Sequence, residues 1–282
     1  MHDAAHEAFR VIRDLEFVKR GDAAIVGDLY LPADKPNAPV IVAVHGGAWQ
    51  RGGPKSYARI GPYLAKHGVG VFAVTYRFAP KNLFPKAVHD VRAAIQFLRA
   101  KGAGLGVDVN RIGVMGDSAG GHLASLVALA GDRPEFANQP EDAYPGVSAA
   151  VKVCVPVYGI YDLMAQWDFD QILAPKGNLA EIFLGYSALE DRFGYHRASP
   201  INYVTKAMSH VAFFMAWGQR DDIVDPKTQS EPMLAALKRA DYFVRTATVD
   251  AGHFWMSEPL DEPGSFPGFV APRILRFLQE KL

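Results

Sequence analysis

Arg111-Ile-Gly-Val-Met-Gly-Asp-Ser-Ala-Gly-Gly-His122 opens as a short apolar run over 112–116. It turns through Gly116-Asp117-Ser118-Ala119-Gly120 and continues into an Ala- and Leu-rich segment over 118–130. The run has the length and composition of a strand covered on both faces, and the segment after the turn reads as a helix. A serine set between glycines at such a strand–turn–helix junction is lifted out with its hydroxyl exposed. Side chains two residues before and after it would collide, so Gly116 and Gly120 flank it. The following helix aims its free amides and the positive end of its dipole at the same place. A phosphate-binding turn is the competing interpretation. The run has neither the P-loop lysine nor the G-x-G-x-x-G spacing that this would need.

Working outward, apolar runs alternate with helical patterns. Strands are expected at 24–31, 40–45, 69–75, 112–116, 151–157, 211–217 and 242–249, and helices at 85–101, 118–130, 226–240 and 271–282. This alternation predicts an α/β fold with a mostly parallel central sheet and helices on both faces. The first strand or two can pair antiparallel, because Asp28-Leu-Tyr-Leu-Pro32 follows a turn at Gly21-Asp22. Residues 131–147 hold three prolines and read as a surface loop. Residues 158–203 are long and aromatic and read as a small cap insertion over the C-terminal edge of the sheet, within one domain over 1–282. An insertion that only packs on the surface is the alternative.

Composition narrows the function classes. The 282 residues are 49% hydrophobic and 21% charged, which is globular, and 30 basic residues balance 30 acidic ones. With no net charge and no basic block, neither nucleic acid nor an anionic membrane is an expected partner, and a small neutral substrate is the default. The single cysteine, Cys154, lies in the apolar run Val151-Lys-Val-Cys-Val-Pro-Val157 and reads as a small buried hydrophobe. One thiol, no apolar leader and no run long enough to span a bilayer predict a reducing, cytoplasmic setting. His2 and His6 stand at i, i+4 and read as a solvated pair.

A serine hydroxyl needs a base to act as a nucleophile near neutral pH. Asp250-Ala-Gly-His-Phe-Trp255 follows the 242–249 strand and supplies His253. Trp217-Gly-Gln-Arg-Asp-Asp-Ile-Val224 follows the strand before it and supplies Asp221 and Asp222. The spacing G-x-x-D-x-x-V from Gly218 to Val224 favours Asp221 as the acid, and Asp222 reads as a turn former. The order Ser, Asp, His, each just past a different strand, is that of a nucleophile, its orienting acid and its base. Val40-Ile-Val-Ala-Val-His-Gly-Gly-Ala-Trp49 adds a strand running straight into glycines. Such a turn lets main-chain amides approach an oxyanion, so Gly47 and Ala48, with Ala119 after the serine, are the expected donors. His45 reads as a brace for this loop. Trp49 can wall the acyl pocket or simply pack, and with it Phe254 and Trp255 are candidates to line the substrate site.

At these residues the sequence resembles the esterase and lipase branch of the α/β-hydrolase superfamily. Gly116-Asp-Ser-Ala-Gly-Gly121, and Tyr76-Arg-Phe-Ala-Pro80 followed by Phe84-Pro85, are similar to hormone-sensitive-lipase-like carboxylesterases. His45-Gly-Gly-Ala-Trp49 is similar to kynurenine formamidases and to feruloyl or acetylxylan esterases. The resemblance spans about residues 25–280 and implies the α/β-hydrolase fold. It also implies a triad of Ser118, Asp221 and His253, oxyanion donors Gly47, Ala48 and Ala119, and hydrolysis of small to medium carboxylic esters through an acyl-enzyme without metal or organic cofactor. The chain departs at Ala48, where a third glycine is usual in lipases, and at Asp225, where proline usually follows the valine. The large N-terminal cap of hormone-sensitive-lipase-like enzymes has no counterpart before the first strands. An aryl formamidase or other amidase, or a feruloyl or acetylxylan esterase, is the alternative enzyme. A binding protein on an inactive hydrolase scaffold is the alternative from another class. Oligomeric state is open.

Overall fold

The structure is a computed structural model that describes residues 8–137, 139–140 and 142–282; His2 and His6 lie outside the described residues. Among the described residues there is one eight-stranded sheet in the order β1-β2-β4-β3-β5-β6-β7-β8. Its strands are β1 (Phe9–Arg20), β2 (Ala23–Pro32), β3 (Ala38–Val44), β4 (Gly70–Val74), β5 (Val107–Asp117), β6 (Val153–Val157), β7 (Ala212–Gly218) and β8 (Val244–Val249). β1 and β2 pair antiparallel, as do β2 and β4, and every other pairing is parallel. The fold is therefore α/β with a mostly parallel sheet.

Burial explains the pattern of the strands. Every residue of β3, β4, β6 and β7 is buried. Successive side chains point to opposite faces, so unbroken burial requires cover on both. The cover comes from α1 (Ile60–Lys66), α2 (Lys86–Lys101), α3 (Ala119–Ala130), α7 (Ser230–Arg239) and α8 (Phe266–Lys281), with α2 and α3 packed together and α8 against β6, β7 and β8. Between β6 and β7 the chain forms α4 (Leu163–Leu173), α5 (Leu179–Leu184) and α6 (Arg192–Ala198). Asp162, Asn178 and Asp191 cap their N-termini with side-chain oxygens. Tyr161, Phe183 and Tyr195 are buried in this segment, which corresponds to the long aromatic stretch at 158–203.

Several elements differ from expectation: β5 begins at Val107 and not at 112, and α1 has no expected counterpart. β1 was not anticipated, because register shifts between Ile12 and Leu15 and between Glu16 and Val18 break its period-two alternation. α7 begins at Ser230, after a turn in which Thr228 and Gln229 donate to the Asp225 carbonyl, and not at Pro226. α8 begins at Phe266, where the Ser265 hydroxyl accepts from the Gly268 amide, and it carries Pro272 inside it. A proline is favoured at a helix start and unfavourable within a helix, so Pro272 gives no sequence signal that the helix begins upstream of it.

Candidate active site

The turn after β5 holds Ser118 at φ 51° and ψ −121°, outside the regions L residues ordinarily occupy. Its amide donates to the Val157 carbonyl at 2.9 Å, and its carbonyl accepts from the His122 amide at 3.0 Å. The flanking glycines are required by close approach. A Cβ on Gly116 would stand 2.2 Å from the Gly120 carbonyl oxygen, and one on Gly120 would stand 1.9 Å from the Val44 carbonyl oxygen.

Two loops from the far end of the sheet meet this serine. His253, past β8, lies with Nε2 2.9 Å from Ser118 Oγ and Nδ1 2.7 Å from Asp221 Oδ2. Nδ1–H donates to the carboxylate, which leaves Nε2 to accept the serine proton. The other oxygen of Asp221 accepts from the amides of Ile223 (3.0 Å) and Val224 (2.8 Å). Asp221 and His253 are buried, whereas Asp222 is exposed and makes no part of this line. The Tyr158 ring lies 4.7 Å from the His253 ring, centroid to centroid, and Trp255 meets Tyr158 edge-on at 5.5 Å.

The loop after β3 supplies amides. Gly47, Ala48 and Trp49 follow one another at φ 111°, 53° and 58°. The Gly47 carbonyl accepts from Gln50 (3.0 Å) and Arg51 (3.2 Å), closing a tight turn. A Cβ on Gly47 would lie 2.1 Å from the Arg51 carbonyl oxygen. Among the described residues no protein acceptor receives the amides of Gly47 or Ala48, and Ala119 opens α3, where helical amides have no partner within the helix. These are donors in need of an acceptor.

Asp117, directly before the serine, ties this loop to the turn. Its Oδ1 accepts from the Gly46 amide (3.1 Å) and the Tyr57 hydroxyl (3.0 Å). Burial pushes its carboxyl above the usual carboxylate range, against the pull of the Tyr57 and Gly46 hydrogen bonds. Asp117, Tyr57, Tyr158 and Met256 line a cavity of about 390 Å³. A cavity of about 660 Å³ between β8 and residues 260–269 contains none of Ser118, Asp221 or His253.

The remaining expected residues fall in different settings. Phe254 is exposed and meets the His253 ring edge-on, with 5.1 Å between centroids. Trp255 is buried beside Tyr158, and Trp49 is fully buried, so both reach the site through neighbours. Trp49 stacks on Phe183 at 4.4 Å and donates from Nε1 to His122 Nδ1 at 3.1 Å. His45 donates from Nδ1 to the Gly46 carbonyl and stacks on Tyr76 at 4.5 Å; burial lowers its pKa to about 4. Asp117, Tyr57, His122 and Tyr158 escaped the sequence reading. Asp117 and His122 sit inside the serine motif. Their partners, Gly46 and Trp49, lie more than seventy positions away, which only the fold brings near. Cys154 is a buried free thiol, and no group of three His, Cys, Asp or Glu stands close enough to hold a metal among the described residues. No helix among them is long and apolar enough to cross a membrane.

Known proteins share this architecture. The BD-FAE family model matches residues 27–237, and the chain belongs to that family, within the esterase and lipase branch of the α/β-hydrolases. Esterase LipQ of Mycobacterium tuberculosis is 34% identical over 206 residues, which cover 72% of this chain and 46% of that protein. The probable carboxylic ester hydrolase LipM of the same organism is 31% identical over 204 residues, 72% of this chain and 45% of that protein. The chain spans about half the length of these curated relatives. A truncated carbohydrate esterase from gut microbiota superposes with a TM-score of 0.82 at 20% identity, covering 98% of both chains. Esterase 2 of Thermogutta terrifontis, phosphoramylated by tabun, superposes at 0.76 with 22% identity over 97% of this chain and 94% of that one. The α/β-hydrolase fold is thereby established.

Proposed function

We propose that the protein is a serine carboxylesterase acting on small to medium carboxylic esters. The observation that carries this reading is the unbroken hydrogen-bonded line Asp221–His253–Ser118 beside the unpartnered amides of Gly47, Ala48 and Ala119. Ser118 Oγ bonds to the ester carbonyl carbon as its proton passes to His253 Nε2. The carbonyl oxygen takes up the negative charge and is received by the three amides. When the carbon–oxygen bond to the alcohol breaks, His253 returns the proton to the leaving oxygen, and an acyl-Ser118 remains. Water then repeats the sequence and frees the acid. Asp221 holds the Nδ1–H tautomer and stabilises the imidazolium. The esterase names of LipQ and LipM, longer relatives of which the match covers 46% and 45%, support the same class.

The segment over 158–203 is read as a cap of the same domain, and Phe254 as an apolar wall for the substrate. Cys154, buried and unpaired, suits a reducing compartment such as the cytoplasm.

Hydrolysis of p-nitrophenyl esters of increasing chain length, with aryl formamides alongside, tests the reading together with fluorophosphonate labelling. Ester turnover, label on Ser118, and a loss of about 10⁶-fold in kcat for Ser118→Ala are expected. Absence of label on the folded protein would sink the proposal, and faster turnover of the formamides would move it to an amidase.

A further inference from the structure

Ala48 and Trp49 stand in succession at φ 53° and 58°. Left-handed backbone is unfavourable for L residues, most of all for a bulky one. It persists where the surroundings over-determine it. For Trp49 those surroundings are specific. The fully buried indole stacks on Phe183 of α5 with the rings 18° from parallel, and its Nε1–H donates to Nδ1 of His122. An indole nitrogen can only donate, so His122 keeps Nδ1 bare and carries its proton on Nε2. That Nε2–H donates to the carbonyl of Ala198, the last residue of α6, at 2.7 Å. Burial holds the ring neutral, with a pKa lowered to about 4.

One buried hydrogen-bonded chain thus runs from the amide-bearing loop, through α3, to the segment inserted between β6 and β7. His122 lies one helical turn past Ser118 and donates its own amide to the Ser118 carbonyl. Elsewhere the loop is held by the Trp49 carbonyl, which accepts from the Ala79 amide at 2.9 Å, and by the Gly46 amide, which donates to Asp117. We propose that His122 is a positioning residue for the oxyanion site. Through Trp49 it sets where the Gly47 and Ala48 amides point relative to Ser118. The insertion, through Ala198 and Phe183, braces that geometry in addition to any covering role. This inference rests on the esterase reading above.

A buried polar pair that merely fills space would affect stability alone, whereas a positioning role appears in the transition state. Three variants separate the two. Trp49→Phe keeps the stacking ring and removes the N–H; His122→Leu keeps volume and removes both hydrogen bonds; His122→Asn restores an acceptor near Nδ1. The readouts are kcat and KM on p-nitrophenyl acetate, and the affinity of an aryl trifluoromethyl ketone, which forms a tetrahedral adduct with the serine. Removing an oxyanion donor outright costs about 10²–10³ in kcat, so misaiming one is expected to cost roughly ten- to a hundredfold. For Trp49→Phe and His122→Leu, KM stays near wild type and ketone affinity falls by the same factor as kcat. His122→Asn recovers part of the loss. The proposal is overturned if folded Trp49→Phe retains full kcat, or if kcat falls while ketone affinity does not. Should His122→Leu fail to fold, Trp49→Phe decides alone. Wild type that fails to take up a fluorophosphonate would instead remove the esterase reading beneath the proposal.

Discussion

The imidazole of His253 and the carboxylate of Asp221 face each other across 2.7 Å, with the far oxygen of Asp221 already engaged by two main-chain amides. That second engagement matters as much as the first. A carboxylate pinned at both oxygens cannot rotate, so it fixes the ring plane and tautomer of the histidine before substrate arrives.

Asp221→Asn therefore keeps the shape of the site and spoils the tautomer. A loss of about 10⁴-fold in kcat is expected, by analogy with the same change in other triads. Asp222→Asn, on an exposed side chain one position on, should turn over p-nitrophenyl esters at the wild-type rate. Equal losses in the two variants would contradict the assignment of the acid.

The elbow makes a steric prediction. Gly120→Ala would drive a methyl group to 1.9 Å from the Val44 carbonyl oxygen, rigid backbone of the central strand. Destabilisation at or above about 3 kcal/mol is expected, the upper end of ordinary overpacking. Gly104→Ala, where the added methyl meets nothing within 4 Å, should melt as wild type does. Thermal unfolding of both proteins checks the contrast.

Acid stability follows from two buried neutral histidines. His45 and His122 both have pKa values lowered to about 4, chiefly by burial. A lowered histidine pKa means that the unfolded chain takes up a proton the native chain refuses. The contribution is complete above about pH 6.5 and drains away as pH falls toward 4. Each histidine then removes about 3 kcal/mol of stability over that interval. Urea midpoints measured from pH 7 to 4.5 should fall steeply, and His122→Asn should flatten the decline.

Asp117 acts in the opposite sense. Burial raises its carboxyl pKa, so ionising it opposes folding as pH climbs beyond the usual carboxylate range. Asp117→Asn keeps an oxygen to accept from Gly46 and Tyr57 while removing the charge. It should raise the melting temperature at pH 8 and lose that advantage near pH 4. An unchanged difference across this range would show that the charge has no influence on stability.

Much of this geometry was legible because it is local. Gly116 and Gly120 around Ser118, the apolar runs of β3 and β5, and the acids and histidine placed just past β7 and β8 all carry their meaning within ten residues. What escaped is non-local or irregular. The bulges of β1 erase its alternation, and the short helices α4, α5 and α6 are ordered by Tyr161, Phe183 and Tyr195 packing in three dimensions more than by any periodic stripe. Trp49 shows the limit most clearly. Its sequence position beside Gly47 and Ala48 leaves a substrate wall and simple packing equally open, and only its partners Phe183 and His122, far along the chain, place it inside the core.

The separation of Ser118 from His253 by 135 positions has a consequence during synthesis. A nascent chain emerging from the ribosome displays the elbow serine long before β8, at one edge of the sheet, exists to deliver an imidazole. Under the esterase reading proposed above, the serine has no base beside it until that edge of the sheet is in place, so turnover would report finished folding.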